Sequence, residues 1–264
     1  MSLASGFVQT RGTHFELDNS LFLFNGFNAY WMMQVAAQPS QQRYKVSNVF
    51  HEAAAAGLTV CRTWAFSDGG NKLALQISPG VYDENVFQAL DFVVSEAAKN
   101  KVRLILSLVN NYQDFGGRAQ YVDWARNTGV RTSSDDDFYT NAVVKQYYKN
   151  HVKEIDFTTI HAYPDAWLSG QDDDAQMAFM RKWITSHWTD SRTLLKKPMI
   201  FTEFGNLARS GGIGGGLVWQ LVAEGMESYS DGYEIDLFQT PSTSSVISQQ
   251  SRQMTALQHK MSRP

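Results

Sequence analysis

Glu203 has the setting that most suggests chemistry. It follows the apolar run Met199-Ile200-Phe201-Thr202 and precedes Phe204-Gly205, so a carboxylate stands at a strand end with backbone room beside it. Other strand-like runs end on Asn28, on Arg62 and Trp64, on Asn110, on His161 and Tyr163, and on Trp219. In His161-Ala162-Tyr163 the outer two side chains share one face, because side chains alternate along a strand. Arg62 interrupts an apolar run and must be paired if buried. A carboxylate is the expected mate, and the guanidinium would keep it ionised. On one rim these residues form a polar, aromatic pocket around a single carboxylate. Sugars offer flat C–H faces to aromatic rings and hydroxyls to polar groups, so the inventory suits a carbohydrate. Taken singly, each residue has a plainer reading: a capping glutamate, a core histidine, a packing tyrosine.

Strands ending on a common rim require a sheet whose strands run the same way. The runs Leu21 to Phe27, Leu58 to Ala65, Val102 to Leu108, Ile155 to His161, Pro198 to Glu203 and Gly215 to Val222 read as strands, and most are apolar on both faces, as buried parallel strands are. Helical periods lie between them. Ser40 to Ala56 is stopped by Gly57, and Asp83 caps a stripe of Val86, Phe87, Leu90, Val93, Val94 and Ala97. Phe138 to about Lys153 follows the acidic run Asp135-Asp136-Asp137, and Gln176 to Trp188 and Val246 to Met261 complete the set. Phe7 to Leu17 reads as a hairpin turning at Arg11-Gly12.

Alternating strands and helices in 264 residues predict an α/β fold of the (β/α)8 barrel type in one domain, since such barrels take about 250 residues. The count falls short of closure, with six strands where eight are needed. Only about ten residues separate Glu203 from Gly214, too few for a crossover helix. The helix ending near Lys153 runs into the strand at Ile155 with no Gly, Pro or Asn between them. Sequence is expected to be missing at both junctions, near 153/154 and at 205–212.

Composition excludes several classes. With 43% hydrophobic residues the chain can bury a substantial core and is not disordered. One cysteine, Cys61, excludes a disulfide scaffold or a cysteine-rich zinc module. A net charge of −3 suggests no nucleic-acid or anionic-membrane partner, and no apolar run approaches the roughly 20 residues of a membrane span. Met1 to Gly6 shows no signal-peptide pattern. His51-Glu52 lacks the second histidine of a zinc protease, having Ala55 there. The glycines from Gly211 to Gly216 lack the Lys-Ser/Thr ending of a phosphate loop, and Asp172-Asp173-Asp174 suits a helix start better than calcium. No metal or cofactor is expected.

Several stretches together carry a resemblance. Phe24-Asn25-Gly26-Phe27-Asn28-Ala29-Tyr30-Trp31, Cys61-Arg62-Thr63-Trp64 through Gly69, Leu106 to Tyr112, His161-Ala162-Tyr163-Pro164-Asp165, Thr202-Glu203-Phe204-Gly205 and Gly216-Leu217-Val218-Trp219-Gln220 resemble the plant endo-β-1,4-mannanases of glycoside hydrolase family 5. The resemblance covers almost the whole chain. It implies a (β/α)8 barrel and retaining hydrolysis of mannan, galactomannan or glucomannan by two carboxylates, a nucleophile and a general acid/base. Matched position by position, Glu203 is the nucleophile and Arg62 the arginine that orients it. Tyr163 hydrogen-bonds at the same centre, and His161, Trp64 and Asn110 line the cleft. Trp219 is the platform under the sugar. The family also implies a cell-wall or extracellular setting.

The departure concerns the second carboxylate. The family's acid/base glutamate lies in an Asn-Glu-Pro motif ending the fourth strand, and this sequence has no Asn-Glu dipeptide. Its nine glutamates are at 16, 52, 84, 96, 154, 203, 224, 227 and 234, and none but Glu203 ends a barrel strand. The resemblance therefore implies a barrel lacking its fourth and fifth βα units and its seventh helix, with catalysis impaired unless Glu224, Glu227 or Asp114 substitutes. The alternatives are a mannan-binding pseudoenzyme or the product of a pseudogene or altered splicing. Another family 5 activity, such as a cellulase, fits the matched stretches less well.

Overall fold

The computed structural model of the chain describes residues 6–39, 42–70, 72–110, 112–129, 131, 156–204 and 215–261. The expected helix from Phe138, the Asp135–Asp137 run, Ile155 and the glycines before Gly215 lie outside the described residues.

A small antiparallel sheet comes first: β1 (Gln9–Arg11), β2 (His14–Leu17) and β3 (Ser20–Leu21). Its first turn lies at Gly12, whose φ of +59° suits glycine. The six apolar runs then form one sheet. Its strands are β4 (Phe24–Asn28), β5 (Val60–Trp64), β8 (Arg103–Ser107), β9 (Thr158–Ala162), β10 (Met199–Phe204) and β11 (Gly215–Val218). β6 (Gln76–Ser78) and β7 (Val81–Tyr82) make a separate hairpin on the loop after β5. The large sheet has the order β8-β5-β4-β11-β10-β9, and every pairing in it is parallel. β4, the first strand of this sheet, lies beside β11, the last, as first and last strands do in a closed barrel.

Among the described residues β8 and β9 are the two edges, although they are consecutive in this sheet along the chain. A βα unit takes roughly 31 residues (about 250 over eight), so the 24 residues of 132–155 are too few for two of them. The sheet is an incomplete barrel of six strands. At the β8 edge Leu106 and Leu108 are exposed, at 40% and 68%.

Helices cover the outer face. α1 (Met32–Ala37), α2 (Arg43–Ala55) and α3 (Glu84–Lys99) pack Met32, Val46, Phe50, Ala89 and Val93 against Phe27 and Cys61 of the sheet. Asp83 caps α3 by accepting from the Asn85 N–H at 2.8 Å, and Gly57, just after α2, has φ +81°. α4 (Gly117–Asn127) follows β8; α5 (Pro164–Trp167) and α6 (Asp173–Asp190) separate β9 from β10; α7 (Pro241–Met261) closes the described chain. The three aspartates start α6: Asp172 caps it by accepting from the Ala175 N–H at 2.8 Å, and Asp173 and Asp174 lie in its first turn. Inside the sheet, Phe24, Val60, Ile200 and Leu217 pack with Phe15 of the N-terminal hairpin, which fills the end of the interior away from the strand C-termini.

Gly26 makes that interior possible. A Cβ there would lie 2.3 Å from the Val60 carbonyl oxygen and 2.3 Å from Leu217 Cδ2. The leucine tip can move, but the paired backbone cannot. Gly26→Ala should therefore cost about 3 kcal/mol, whereas Gly70→Ala, with nothing within 4 Å of its added Cβ, should change little. Urea unfolding of the two variants checks this; equal midpoints would refute it.

Candidate active site

Strand register brings the polar rim together. Asn28 lies beside Arg62 across β4 and β5, and Glu203 lies beside His161 across β10 and β9. The β9–β10 register shifts between Phe201 and Glu203, an irregularity of the kind that re-aims a side chain. Arg62 Nη1 donates to Glu203 Oε1 at 2.6 Å and to Asn28 Oδ1 at 3.1 Å. Asn28, 1% exposed, is fixed in turn by donating to the Thr202 and Val218 carbonyls at 2.7 and 3.1 Å. Three strands beyond β5 are thus tied to the arginine that holds the glutamate. The second carboxylate oxygen, Oε2, accepts from the Tyr163 hydroxyl at 3.1 Å and lies 3.1 Å from His161 Nδ1, which donates when it carries a proton.

These contacts set the charge state. Burial pushes the Glu203 carboxyl pKa up, but the hydrogen bond and charge of His161 and the charge of Arg62 more than offset this, and the net shift is downward. Burial, then the charge and hydrogen bond of Glu203, pushes the Tyr163 hydroxyl pKa far above its ordinary value, so it stays protonated and donates. The result is one ionised carboxylate, mostly shielded from water and fixed in direction by an arginine and a phenol. Cys61, on the same strand as Arg62, is buried on the helix side, where burial pushes its thiol pKa up.

An aromatic wall rises beside this carboxylate. Trp219, just past β11, and Tyr30, just past β4, lie parallel, with ring centroids 5.7 Å apart and 6° between their planes. Trp64 packs on Tyr30 at 4.7 Å, and Phe115 stands edge-on to Trp64 at 5.1 Å. Burial, then the charge of Asp231, raises the Tyr30 pKa to about 12.

The structure therefore brings Arg62, His161, Tyr163 and Glu203 into one hydrogen-bonded cluster, with Trp64 and Trp219 in the adjoining wall. His161 touches the carboxylate directly rather than only lining the space around it. Asn110 is bonded into its own loop, donating to the Asp114 carbonyl at 3.2 Å, and this loop carries Phe115 to Trp64. Asp114, Glu224 and Glu227 are exposed. Sequence reasoning placed Asn28 on the rim without a role and missed Tyr30, Asp165, Asp231 and Tyr233. Tyr30 carried a signal, lying two residues beyond Asn28 in an aromatic stretch, and Asp165 closes the stretch from His161; Asp231 and Tyr233, in a turn, carried none. Among the described residues no group of three or more His, Cys, Asp or Glu could hold a metal, and no helix is long and apolar enough to cross a membrane.

A family model described as GH family 5 beta-mannosidase-like matches residues 5–152. Mannan endo-1,4-beta-mannosidase 5 of Solanum lycopersicum is 46% identical over an alignment of 375 positions that covers 96% of this chain and 90% of that protein. The chain belongs to the mannan endo-1,4-β-mannosidases of glycoside hydrolase family 5. Mannan endo-1,4-beta-mannosidase 1 of Oryza sativa subsp. japonica is 38% identical, with 98% of this chain and 88% of that protein covered. The family fold is seen again in a family 5 mannosidase from Rhizomucor miehei. It is 16% identical, covers 97% of this chain and 100% of that one, and has a TM-score of 0.78. This family member is nonetheless short. The tomato alignment has 375 positions and the chain 264 residues, so at least 111 positions (375 less 264) face no residue of it.

Proposed function

We propose that this chain binds β-1,4-mannans across the aromatic wall and keeps only the nucleophile half of a retaining mannanase. The observation that carries the reading is the Glu203 carboxylate, ionised and aimed by Arg62 and Tyr163 beside Trp219, Tyr30 and Trp64. Retaining hydrolysis needs such a carboxylate at the anomeric carbon and a second carboxyl about 5–5.5 Å from it to protonate the leaving oxygen and later activate water. The missing Asn-Glu dipeptide and the positions unmatched against the tomato relative support loss of that second carboxyl, with sequence missing from a single domain near 153/154 and 205–212. Hydrolysis of ordinary mannan should then fall by at least roughly 10²–10⁴-fold, the usual worth of general acid–base help.

The substrate class is mannan, galactomannan or glucomannan, with no nucleic acid and no cofactor involved. Such polysaccharides belong to cell walls, and the protein's place is there. The missing Asn-Glu dipeptide also favours a second reading, a protein that holds mannan without cutting it.

Titration with mannopentaose, followed by release of reducing ends from galactomannan, tests both. Binding is expected, and Trp219→Ala should weaken it by about tenfold or more, as loss of a central aromatic contact does. No binding, or binding indifferent to Trp219→Ala, would sink the mannan reading. Galactomannan cleavage at a rate typical of enzymes, kcat about 10 s⁻¹, would sink the loss of the acid/base. Measurable but slow cleavage separates the impaired enzyme from the binding protein.

A further inference from the structure

The turn 229–235 reaches both the aromatic wall, at Trp219, and the Glu203 cluster, at Tyr163. Its backbone is laddered to the segment after β11: Gln220 N–H donates to the Tyr233 carbonyl at 3.2 Å, Ile235 N–H to the Gln220 carbonyl at 2.8 Å, and Val222 N–H to the Ile235 carbonyl at 3.0 Å. The turn is stiffened from within by Glu234, whose side chain accepts from the Ser230 hydroxyl and from the Asp231 and Gly232 N–H groups. These bonds hold the Glu234 carboxyl pKa down at about 2.

Two side chains leave this turn for the site. Asp231 Oδ2 accepts from the Trp219 indole N–H at 2.6 Å and from Gln220 Nε2 at 3.3 Å, while its Oδ1 accepts from the Tyr233 N–H at 3.1 Å. Tyr233 packs edge-on against Tyr163, centroids 5.3 Å apart, and its hydroxyl donates to Asp165 Oδ2 at 2.9 Å.

An indole has one hydrogen-bond donor. A single strong acceptor therefore settles which way the ring faces about its terminal torsion, a broad degree of freedom when unconstrained. Tyr30 restrains the plane by parallel stacking but leaves the ring free to slide or flip within that plane. The charged acceptor removes this freedom, and charge-assisted bonds of this length are roughly twice as strong as neutral ones. We infer that Asp231 is a positioning residue: its carboxylate fixes the Trp219 indole in the orientation in which the platform meets a sugar. The sugar part of this inference rests on the mannan reading above; the indole part does not.

The experiment follows the Trp219 indole N–H resonance by NMR, assigned by its loss in Trp219→Phe, together with mannopentaose affinity. Asp231→Leu removes the acceptor. The resonance should move upfield toward a free indole, and affinity should drop about tenfold. Asp231→Asn keeps an oxygen acceptor and should retain affinity within about threefold and most of the resonance position. Unmoved signals from the other indoles show that each variant is folded, and Asp231→Ser serves if the leucine variant is not. An unmoved Trp219 resonance in Asp231→Leu, or a moved one with unchanged affinity, overturns the inference. If the unaltered protein binds no mannopentaose, the mannan reading fails, and the resonance alone decides whether Asp231 fixes the ring.

Discussion

Arg62→Met should cost about 3–5 kcal/mol at pH 7, the usual penalty for stranding one member of a buried ion pair. Arg62 and Glu203 are 18% and 14% exposed, and their contact is 2.6 Å long. Methionine keeps much of the apolar stem but leaves Glu203 ionised with only Tyr163 and His161 as partners. It also frees Asn28 Oδ1, so the loss spreads across β4, β5 and β10. The surface pair Arg11–Glu16, with the arginine side chain 80% exposed, provides the contrast. Arg11→Met should cost no more than about 1 kcal/mol.

The pH dependence has a definite sign. With Arg62 present the folded-state pKa of Glu203 is depressed. Its stabilising contribution is complete above the unfolded value, about 4.3, and is lost as pH falls through the lower folded value. Without the guanidinium, burial meets less opposition and the folded pKa rises. The variant's deficit should therefore be largest at neutral pH and shrink on acidification below about pH 4.5. Urea unfolding of the unaltered protein, Arg62→Met and Arg11→Met at pH 7 and pH 4 measures this. A deficit no larger than that of Arg11→Met, or one that widens on acidification, would remove Arg62 as the group holding the carboxylate.

That ion pair also illustrates what a sequence makes legible. An arginine inside an apolar strand has few tolerable environments, so Arg62 demanded a carboxylate, and Glu203 at another strand end was the obvious candidate. Four of the six strands were visible for a related reason: both faces of β4, β5, β10 and β11 are largely buried, which leaves apolar runs, while the edge strands β8 and β9 are partly exposed. Strand limits were less visible. The run from Gly215 to Val222 forms strand only as far as Val218; beyond it Leu221 N–H still donates to the Asn28 carbonyl of β4 at 2.9 Å, while Gln220 and Val222 turn to ladder with 233–235. α4 was missed because Gly117 and Val122 are its only buried residues and it begins at a left-handed Gly116-Gly117 pair, which reads as a loop. α1 was missed because a six-residue helix directly after a strand shows less than two turns of period. Asp231 was invisible for a deeper reason. Its role depends on a turn folding back onto a tryptophan twelve residues earlier, and nothing local distinguishes it from any loop aspartate. Length misled as well: 264 residues matched a complete barrel only because the hairpin and rim loops take up what two βα units would have used.

A still larger effect should appear in the identity of the leaving group. If Glu203 is the nucleophile, as proposed above, then in the first step of retaining cleavage one of its oxygens bonds to the anomeric carbon as the bond from that carbon to the leaving oxygen breaks. In a mannan the departing group is a sugar alkoxide, which needs a proton as it leaves. With Glu203 committed to Arg62, His161 and Tyr163, that proton has no carboxyl donor within this cluster. A 2,4-dinitrophenyl β-mannobioside removes the demand, because its phenolate departs unprotonated. The first step on this substrate should then outrun cleavage of mannopentaose by at least about 10²–10⁴-fold, the value of the missing proton transfer. On the proposed loss of the acid/base, the second step also has no base to deprotonate water, so dinitrophenolate should appear as a burst equal to the protein present, followed by slow turnover. Azide needs no deprotonation; it should speed the slow phase and give a mannobiosyl azide of retained configuration. Glu203→Gln should abolish the burst, since an amide does not form the glycosyl ester. Stopped-flow release of dinitrophenolate, with mass spectrometry of the intact protein at the end of the burst, reads all of these. Equal rates on the two substrates would mean that another carboxyl has taken over the acid's place. No burst, and no added mass on Glu203, would mean that the carboxylate is held in place but does not attack.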